Sequence, residues 1–434
     1  MLKIYNSLSN KIEEFHPVHK DKVNMYVCGP TVYDNIHIGN GRPVVFFDVV
    51  KRYLEFSGLN VTYASNITDV DDRIINRAIE EGISEKEVAA KYAKAFFDVV
   101  EKIGAKPFDE TPHATDYIEE MVEFISDLIK KGYAYSVPSG VYFDVSKLND
   151  YGVLSNQKVE ELRSSVRIDN ETDKLDSVDF ALWKITTEGI KYNSPWGAGR
   201  PGWHTECVVM NNKLFNGEEL DIHGGGFDLK FPHHENEIAQ SLAHDDHHLA
   251  KYWMHVGRLD LANIKMSKSL KNDVKIKDLL QNYDGNVYRL MLLAHHYRAP
   301  ISYTSDLMEQ YKKTYDKISY TLNKWNFQFI LKDIKEDSID GSIEEFSKYM
   351  DDDFNTPMVV TLLDGLVKEL NKSEDKKIFN TLKVILNVLG ITPLIVEPTK
   401  DDLKNYLDWN EARLNKDFAK ADTLRKLLSE KGWI

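Results

Sequence analysis

The order of apolar and polar positions near the amino terminus predicts a strand, a turn and a long helix. Lys22 to Val27 (KVNMYV) reads as a short strand running into the turn Cys28-Gly29-Pro30-Thr31. A helical pattern starts at about Gly39 and ends near Gly58, with Val45, Val49 and Tyr53 on one face. Asn60 to Ile67 (NVTYASNI) has the character of the next strand. Such a strand–helix–strand unit leaves its loop at the carboxyl end of the first strand, where α/β sheets place ligands. Ser84 with Glu87 three positions later is a capping-box signature, and it opens a helix that runs to about Gly104.

The pattern changes from about Pro112 to Lys191. Short strands such as Gly140 to Val145 (GVYFDV) alternate there with polar stretches such as Asn170 to Asp176. This predicts an insertion between two halves of a parallel sheet. From about Gln310 onward the chain is mostly helical and rich in lysine, aspartate and glutamate.

Composition narrows the class. The 434 residues exceed one compact domain, and 42% hydrophobic with 29% charged residues is the balance of a soluble globular protein. No apolar run is long enough to span a membrane. Met1 to Tyr5 carries no charged segment followed by an apolar run, so a cytoplasmic location is expected. A net charge of −14 argues against a protein that coats nucleic acid nonspecifically, although it leaves room for a local basic face. The only cysteines are Cys28 and Cys207. A structural disulfide is not expected in a cytoplasmic protein of this size. Taken alone, the two read equally well as buried thiols acting as small hydrophobes.

Two short motifs carry candidate chemistry. His37-Ile38-Gly39-Asn40 stands just before the first long helix. A helix N-terminus offers unpaired N–H groups and a positive dipole end to phosphate. Gly39 lets a ligand approach the backbone closely, and His37 can donate to a phosphate oxygen. Alone, such a turn is more often a satisfied loop than a site. Lys265-Met266-Ser267-Lys268-Ser269 brings two lysines and two serines into one short loop, able to neutralise and hydrogen-bond a triphosphate. Together the pair resembles the HIGH-type and KMSKS signatures of class I aminoacyl-tRNA synthetases. The resemblance implies that a carboxylate attacks the α-phosphate of ATP and that the acyl group then moves to a tRNA ribose hydroxyl. It assigns His37, Gly39, Asn40, Lys265 and Lys268 to ATP, with His37 on the triphosphate and Lys268 stabilising charge on the leaving pyrophosphate. The motif departs from the family pattern at Asn40, whose amide donates but carries no charge.

A second constellation bears on the amino acid. Cys28 ends the first strand, Cys207 lies in Gly202-Trp203-His204-Thr205-Glu206-Cys207, and Phe231 to Glu237 reads FPHHENE. Proline favours a helix start, which sets His233 and Glu237 one turn apart on one face. Two thiolates, an imidazole and a carboxylate suit tetrahedral zinc, but they come from three distant segments. Buried thiols and a hydrogen-bonded histidine remain the alternative reading of these residues by themselves.

The strings Cys28 to Tyr33 (CGPTVY), Gly199 to Cys207 (GRPGWHTEC), FPHHENE and Asp351 to Pro357 (DDDFNTP) resemble the cysteinyl-tRNA synthetase family over nearly the whole chain. The resemblance implies one zinc ion per chain held by Cys28, Cys207, His233 and Glu237, with the substrate thiol bound directly to it. It implies that Trp203 packs beside that thiol and that Thr68 and Asp228 help position L-cysteine. His204 would line the site, and His234 would be structural. ATP is expected with Mg2+. Catalytic zinc usually keeps three protein ligands, so Glu237 is expected to be a weak ligand or the metal to become five-coordinate with substrate. The expected products are cysteinyl-adenylate and pyrophosphate, then cysteine on the 3′ end of tRNA-Cys. A thiolate is a much better zinc ligand than a hydroxyl, and a preference over serine of roughly four decades corresponds to about 5.5 kcal/mol.

The implied fold is α/β, a Rossmann-type parallel-sheet catalytic domain with an inserted connective domain, followed by a mostly α-helical C-terminal region. The expected divisions are 1–111 and 193–250 for the two halves of the sheet domain, 112–192 for the insertion, 251–309 for the KMSKS-bearing linker and 310–434 for a helical bundle on the anticodon side of tRNA. Lys312 to Ile318 (KKTYDKI) and Lys265 to Lys277 supply local positive charge. A monomer without a membrane partner is expected. The alternatives are a cysteine-activating ligase of the mycothiol type and a non-catalytic tRNA-binding protein.

Overall fold

The computed structural model describes residues 1–159, 161, 173–261 and 273–434. The chain forms two compact units, residues 1–281 with 297–302, and residues 282–296 with 303–434. The 251–309 stretch is therefore shared between the two units.

The first unit begins with an antiparallel hairpin of β1 (Lys3–Asn6) and β2 (Lys11–Glu14). The strand β3 (Lys22–Val27), the helix α1 (Gly41–Phe56) and the strand β4 (Asn60–Ser65) follow as the sequence predicts. Every residue of β3 after Lys22 is buried, as expected for a parallel strand covered on both faces. Val45, Val49 and Tyr53 of α1 are buried as expected, but burial extends round most of the helix and takes in Arg42, Asp48 and Lys51. The helices α2 (Asp72–Glu81) and α3 (Glu85–Lys102) come next, and Ser84 and Glu87 form the anticipated reciprocal cap.

The insertion holds α4 (Ile118–Lys130) and a four-stranded antiparallel sheet, β5 (Ala134–Val137), β6 (Gly140–Phe143), β7 (Phe180–Ile185) and β8 (Gly199–Pro201), in that spatial order. Its last strand reaches Pro201 and hands the chain directly to α5 (Trp203–Leu214).

The parallel sheet is completed by β9 (Leu220–Gly226), α6 (Glu235–Asp245) and β10 (Ala250–Val256). Its order is β10-β9-β3-β4, and all its pairs are parallel. Beyond β3 the chain crosses to β4 on one side, and beyond β9 it crosses to β10 on the other. The carboxyl ends of β3 and β9 thus form a topological switch point, the crevice in which such sheets bind ligands. Gly224 brings α1 tightly onto β9, because a Cβ there would lie 2.1 Å from Cζ of Phe47.

The second unit is helical, with α7 (Gly285–Leu293), α8 (Ser305–Leu331), α9 (Ser342–Met350), α10 (Thr356–Ser373), α11 (Lys376–Val388), α12 (Lys400–Leu414) and α13 (Phe418–Glu430) among its described residues. The DDDFNTP segment is the turn from α9 to α10, with Asp353 and Phe354 in left-handed backbone and the Phe354 ring buried. Positive charge in the KKTYDKI stretch is locally offset, since Lys312 pairs with Asp316 and Lys317 with Asp364, each at 2.6 Å. Near the end of the chain, Trp433 is fully buried and stacks on Phe327 at 4.8 Å between ring centres. Trp433→Ala is expected to destabilise the second unit by about 3–5 kcal/mol, the usual range for removing a buried large aromatic. Urea unfolding followed by helical circular dichroism measures it, and a loss below about 1 kcal/mol would show that the pocket collapses around the missing ring.

Candidate active site and metal centre

The site grows from the turn after β3. The Cys28 amide donates to the Gly224 carbonyl at 3.1 Å, which seats Cys28 beside the end of β9. The Gly29 amide donates to Oδ1 of Asn66 at 2.8 Å, and a Cβ on Gly29 would lie 1.7 Å from the Asn66 carbonyl oxygen. Only glycine fits that approach. Asn66 Nδ2 donates to Oγ1 of Thr68 at 3.1 Å, and that hydroxyl donates to Oε2 of Glu206 at 3.0 Å. Asn66, Thr68 and Glu206 are all buried. This relay ties the Cys28 turn to α5, which carries Cys207 next to Glu206. The FPHHENE segment enters through a π-type turn over Lys230–His234 that runs straight into α6. One turn apart, His233 Nε2 and Glu237 Oε1 meet at 2.9 Å.

The four predicted metal ligands come together. Cys28 Sγ lies 3.6 Å from Cys207 Sγ, 3.5 Å from His233 Nε2 and 3.5 Å from Glu237 Oε1, and Cys207 Sγ lies 3.6 Å from His233 Nε2. A tetrahedral zinc with bonds of ~2.3 Å to sulfur and ~2.0 Å to nitrogen or oxygen sets its ligand atoms about 3.3–3.8 Å apart. The four separations around the thiols fall within that window, and the His233–Glu237 pair is drawn closer by its own attraction. The donor set therefore fits zinc.

Electrostatics point the same way. Burial, followed by Cys207 and Glu237, pushes the Cys28 thiol well above the usual range. A hydrogen bond from Cys28 brings Cys207 down to about 7 against burial. Burial opposes charge on His233, yet Glu237 and Cys207 carry its imidazole up to about 10. Burial would raise the Glu237 carboxyl, but the imidazoles of His233 and His223 hold it well below the carboxylate range. Two thiols and a carboxylate thus crowd the imidazoles of His233 and His223 in a dry space, a set of charges that a divalent cation would rebalance by favouring all three anions.

The neighbours of this centre were only partly legible. His204 and His233 meet through their Nδ1 atoms at 3.0 Å, which orients the ligand ring, and Trp203 stacks on His233 at 4.3 Å. Burial, with His233 next, brings His204 down to about 3, so it is neutral. His223, fully buried, places Nε2 2.8 Å from Oε2 of Glu237 and 3.7 Å from Cys28 Sγ. With Cys28, His234 and Glu237 it makes a second gathering of metal-binding atoms. His234 Nδ1 is itself engaged by His255 Nε2 at 2.9 Å. Sequence reasoning passed over His223 and His255. The one available signal was a histidine immediately before three glycines at the end of a strand.

Beside the candidate metal ligands lies a cavity of about 210 Å³ lined by Cys28, Thr31, Gly39, Asn40, Trp203 and Asp228, among others. Thr68, expected at the amino acid, does not line it, because its hydroxyl is committed to Glu206 and its backbone bonds Pro30 and Val32. Of the three glycines ending β9, Gly226 faces the cavity, while Gly224 is filled by Phe47 and Gly225 by Leu229 and His234. His37, Gly39, Asn40 and Asp228 line an adjoining cavity of about 100 Å³. His37 Nδ1 accepts the Gly39 amide at 3.0 Å, so the proton of the neutral ring sits on Nε2. Oδ1 of Asn40 accepts the His37 amide at 3.2 Å, so Asn40 closes the turn and needs no charge to do so. Lys265 and Lys268 lie outside the described residues. Of those that follow, Val274 accepts the Ile38 amide at 2.9 Å, and Lys275 reaches Asp34 at 2.8 Å.

Comparison with known proteins places this geometry. The family described as the tRNA synthetases class I (C) catalytic domain matches residues 14–313, and the DALR domain matches residues 345–392. The Acholeplasma laidlawii protein named cysteine–tRNA ligase is 66% identical over 100% of both chains. The chain belongs to the cysteine–tRNA ligase family of class I tRNA synthetases. The protein of the same name from onion yellows phytoplasma is 47% identical, again over 100% of both chains. Among solved structures, Mycobacterium tuberculosis methionyl-tRNA synthetase with methionyl-adenylate aligns at TM-score 0.63 and 14% identity, covering 89% of this chain and 93% of that one. The Agrobacterium radiobacter leucyl-tRNA synthetase aligns at TM-score 0.65 and 10% identity, covering 88% and 85%. These two establish the shared fold.

The site's dependence on close backbone approach is testable in this family member. Gly29→Ala is expected to cost about 1–3 kcal/mol, the range for overpacking, and to lower metal stoichiometry by displacing Cys28. Thermal unfolding and metal analysis measure the two effects. An unchanged melting temperature with full metal content would show that the Asn66 carbonyl yields freely.

Proposed function

We propose that this chain activates L-cysteine with ATP, giving cysteinyl-adenylate and pyrophosphate, and transfers cysteine to the 3′ end of tRNA-Cys. Cys28, Cys207, His233 and Glu237 hold one zinc ion, and ATP enters with Mg2+. The observation that carries this reading is the cluster of two thiols, imidazole and carboxylate, of which Cys28 lines a cavity shared with Gly39 and Asn40 of the His37 turn. Bound zinc supplies a soft positive centre on which a thiolate is a far better partner than a neutral hydroxyl.

The chain's own residues do the rest. Trp203 walls the cavity and keeps water from the thiol end. Asp228, on the cavity lining, offers a carboxylate to the substrate ammonium. His37 presents Nε2–H, and the first turn of α1 presents backbone N–H groups, to the triphosphate. Lys265 and Lys268 neutralise the departing pyrophosphate. Thr68 acts from behind, holding Asn66 and Glu206 in the relay that fixes Cys28. Positioning and preorganised charge supply the rate, because the chemistry needs no covalent intermediate on the protein. In this reading the helical second unit approaches the anticodon side of tRNA. None of its helices, nor any other among the described residues, is long and apolar enough to cross a membrane. The protein works as a monomer in the cytoplasm.

Charging of total tRNA with labelled amino acid tests the function. Cysteine is expected to be attached and serine rejected by roughly four decades in kcat/KM, about 5.5 kcal/mol of discrimination. Cysteine-dependent ATP consumption without charging would favour a ligase that passes cysteine to another acceptor. No activation by metal-loaded protein would leave only a binding role. Separately, Cys207→Ala is expected to lose zinc from the purified protein and, with it, cysteine-dependent pyrophosphate exchange. Retained stoichiometric zinc in that variant would move the metal to the His223 and His234 side of the cluster.

A further inference from the structure

Adenylate formation brings two anions together. A carboxylate oxygen of cysteine forms a bond to the α-phosphorus of ATP. The bond from that phosphorus to the bridging oxygen breaks, and pyrophosphate leaves with the electron pair. No proton passes between the reactants. Something must offset the repulsion between carboxylate and α-phosphate at the point where they meet.

The candidate for that role is Arg73. It lies in the first turn of α2 and lines the cavity that rises from Cys28. It also lines a second cavity, of about 270 Å³, shared with Tyr33, His37 and Asn40. Among the described residues lining these two cavities it is the sole lysine or arginine. Its guanidinium is held on several sides. Nε donates to Asp71 Oδ1 at 2.7 Å, and Nη2 donates to Thr31 Oγ1 at 2.9 Å and to Asp71 Oδ2 at 3.2 Å. Tyr33 lies under it at 5.1 Å and Trp203 at 5.7 Å. Asp71 is itself fixed, because its Oδ1 caps α2 by accepting the Arg73 amide at 2.8 Å. The Tyr33 side chain adds a further hydrogen bond to the group.

We propose that Arg73 is a catalytic residue of cysteine activation, its guanidinium spanning the substrate carboxylate and the α-phosphate as the bond between them forms. The proposal rests on the cysteine-activating reading given above. A planar guanidinium suits this task because it donates to two oxygens in fixed directions. Asp71 takes part of the positive charge, so the remaining contribution is an oriented donor edge as much as net charge. The ring faces of Tyr33 and Trp203 keep that edge in place before substrate arrives, so little reorganisation accompanies the reaction. Since the two anions approach closely only as they react, the interaction strengthens in the transition state and belongs in kcat.

The test compares wild type, Arg73→Ala and Arg73→Lys as full-length, zinc-loaded protein. Cysteine-dependent ATP–pyrophosphate exchange reads activation, and single-turnover transfer from preformed cysteinyl-adenylate to tRNA reads the second step. Arg73→Ala is expected to lower kcat of exchange roughly 10²–10³-fold, as for loss of one preorganised donor. Its KM for cysteine and its transfer rate should stay within about 3-fold of wild type, the pattern of an interaction made only in the activation transition state. Arg73→Lys should recover about 10-fold of the loss, because charge returns without the planar fork. Zinc content and melting temperature report folding, and Arg73→Gln carries the same expectation if the alanine variant does not fold. Unchanged exchange, a defect confined to KM, or an equal loss in both steps would each overturn the proposal. Absence of exchange in the wild type would instead remove the cysteine-activating reading, and the role of Arg73 with it.

Discussion

The candidate site depends on two thiols and a carboxylate that share a dry space with buried imidazoles. Such a cluster is unfavourable without a cation, because burial penalises each charge and the anions repel one another. The protein nevertheless assembles it from three segments far apart in the chain. Cys28 comes from the end of β3, Cys207 from α5, and His233 with Glu237 from the entry to α6. The cost of that convergence explains the density of supporting contacts. His204, His223, His234 and Trp203 all sit against the cluster, with few polar atoms left to water.

The sheet supplies the place and the hydrogen-bond relay supplies the precision. A switch point between β3 and β9 opens a crevice at their carboxyl ends. Parallel pairing alone would leave the Cys28 turn free to pivot. The Gly29 amide on Asn66, Asn66 on Thr68 and Thr68 on Glu206 remove that freedom and lock β3, the segment after β4 and α5 into one frame. Thr68 illustrates how a residue matters to a pocket it does not line. Its hydroxyl is spent inside the frame, where it helps fix the turn that carries Cys28.

Charge is handled locally, against the grain of the whole chain. The protein is acidic overall, yet the walls of the candidate active site include His37, Arg73 and residues at the amino end of α1. Whole-chain charge speaks to solubility and nonspecific association, whereas chemistry is set within a few ångströms. The paired lysines of α8 make the same point in reverse. Lys312 and Lys317 look like a basic patch in the sequence, and both are answered by neighbouring carboxylates in the fold.

The sequence by itself determined the strand–helix–strand start, the cap at Ser84, the inserted sheet and the helical end, and its family resemblance pointed to the four candidate metal donors that the fold brings together. These features follow from short-range periodicity, local capping chemistry and strings long enough to be specific. Asn40 shows the limit of that information. Its lack of charge reads as a defect in a motif, and only the folded turn reveals an amide that closes on His37. The tertiary structure alone decided that His223 joins the donor cluster, that Thr68 faces Glu206, that Gly224 serves packing while Gly226 faces the cavity, and that Arg73 stands between two pockets. Each of these depends on which residues from separate elements meet across the switch point. Such meetings are set by crossover topology and side-chain direction, and no local pattern in the chain encodes them.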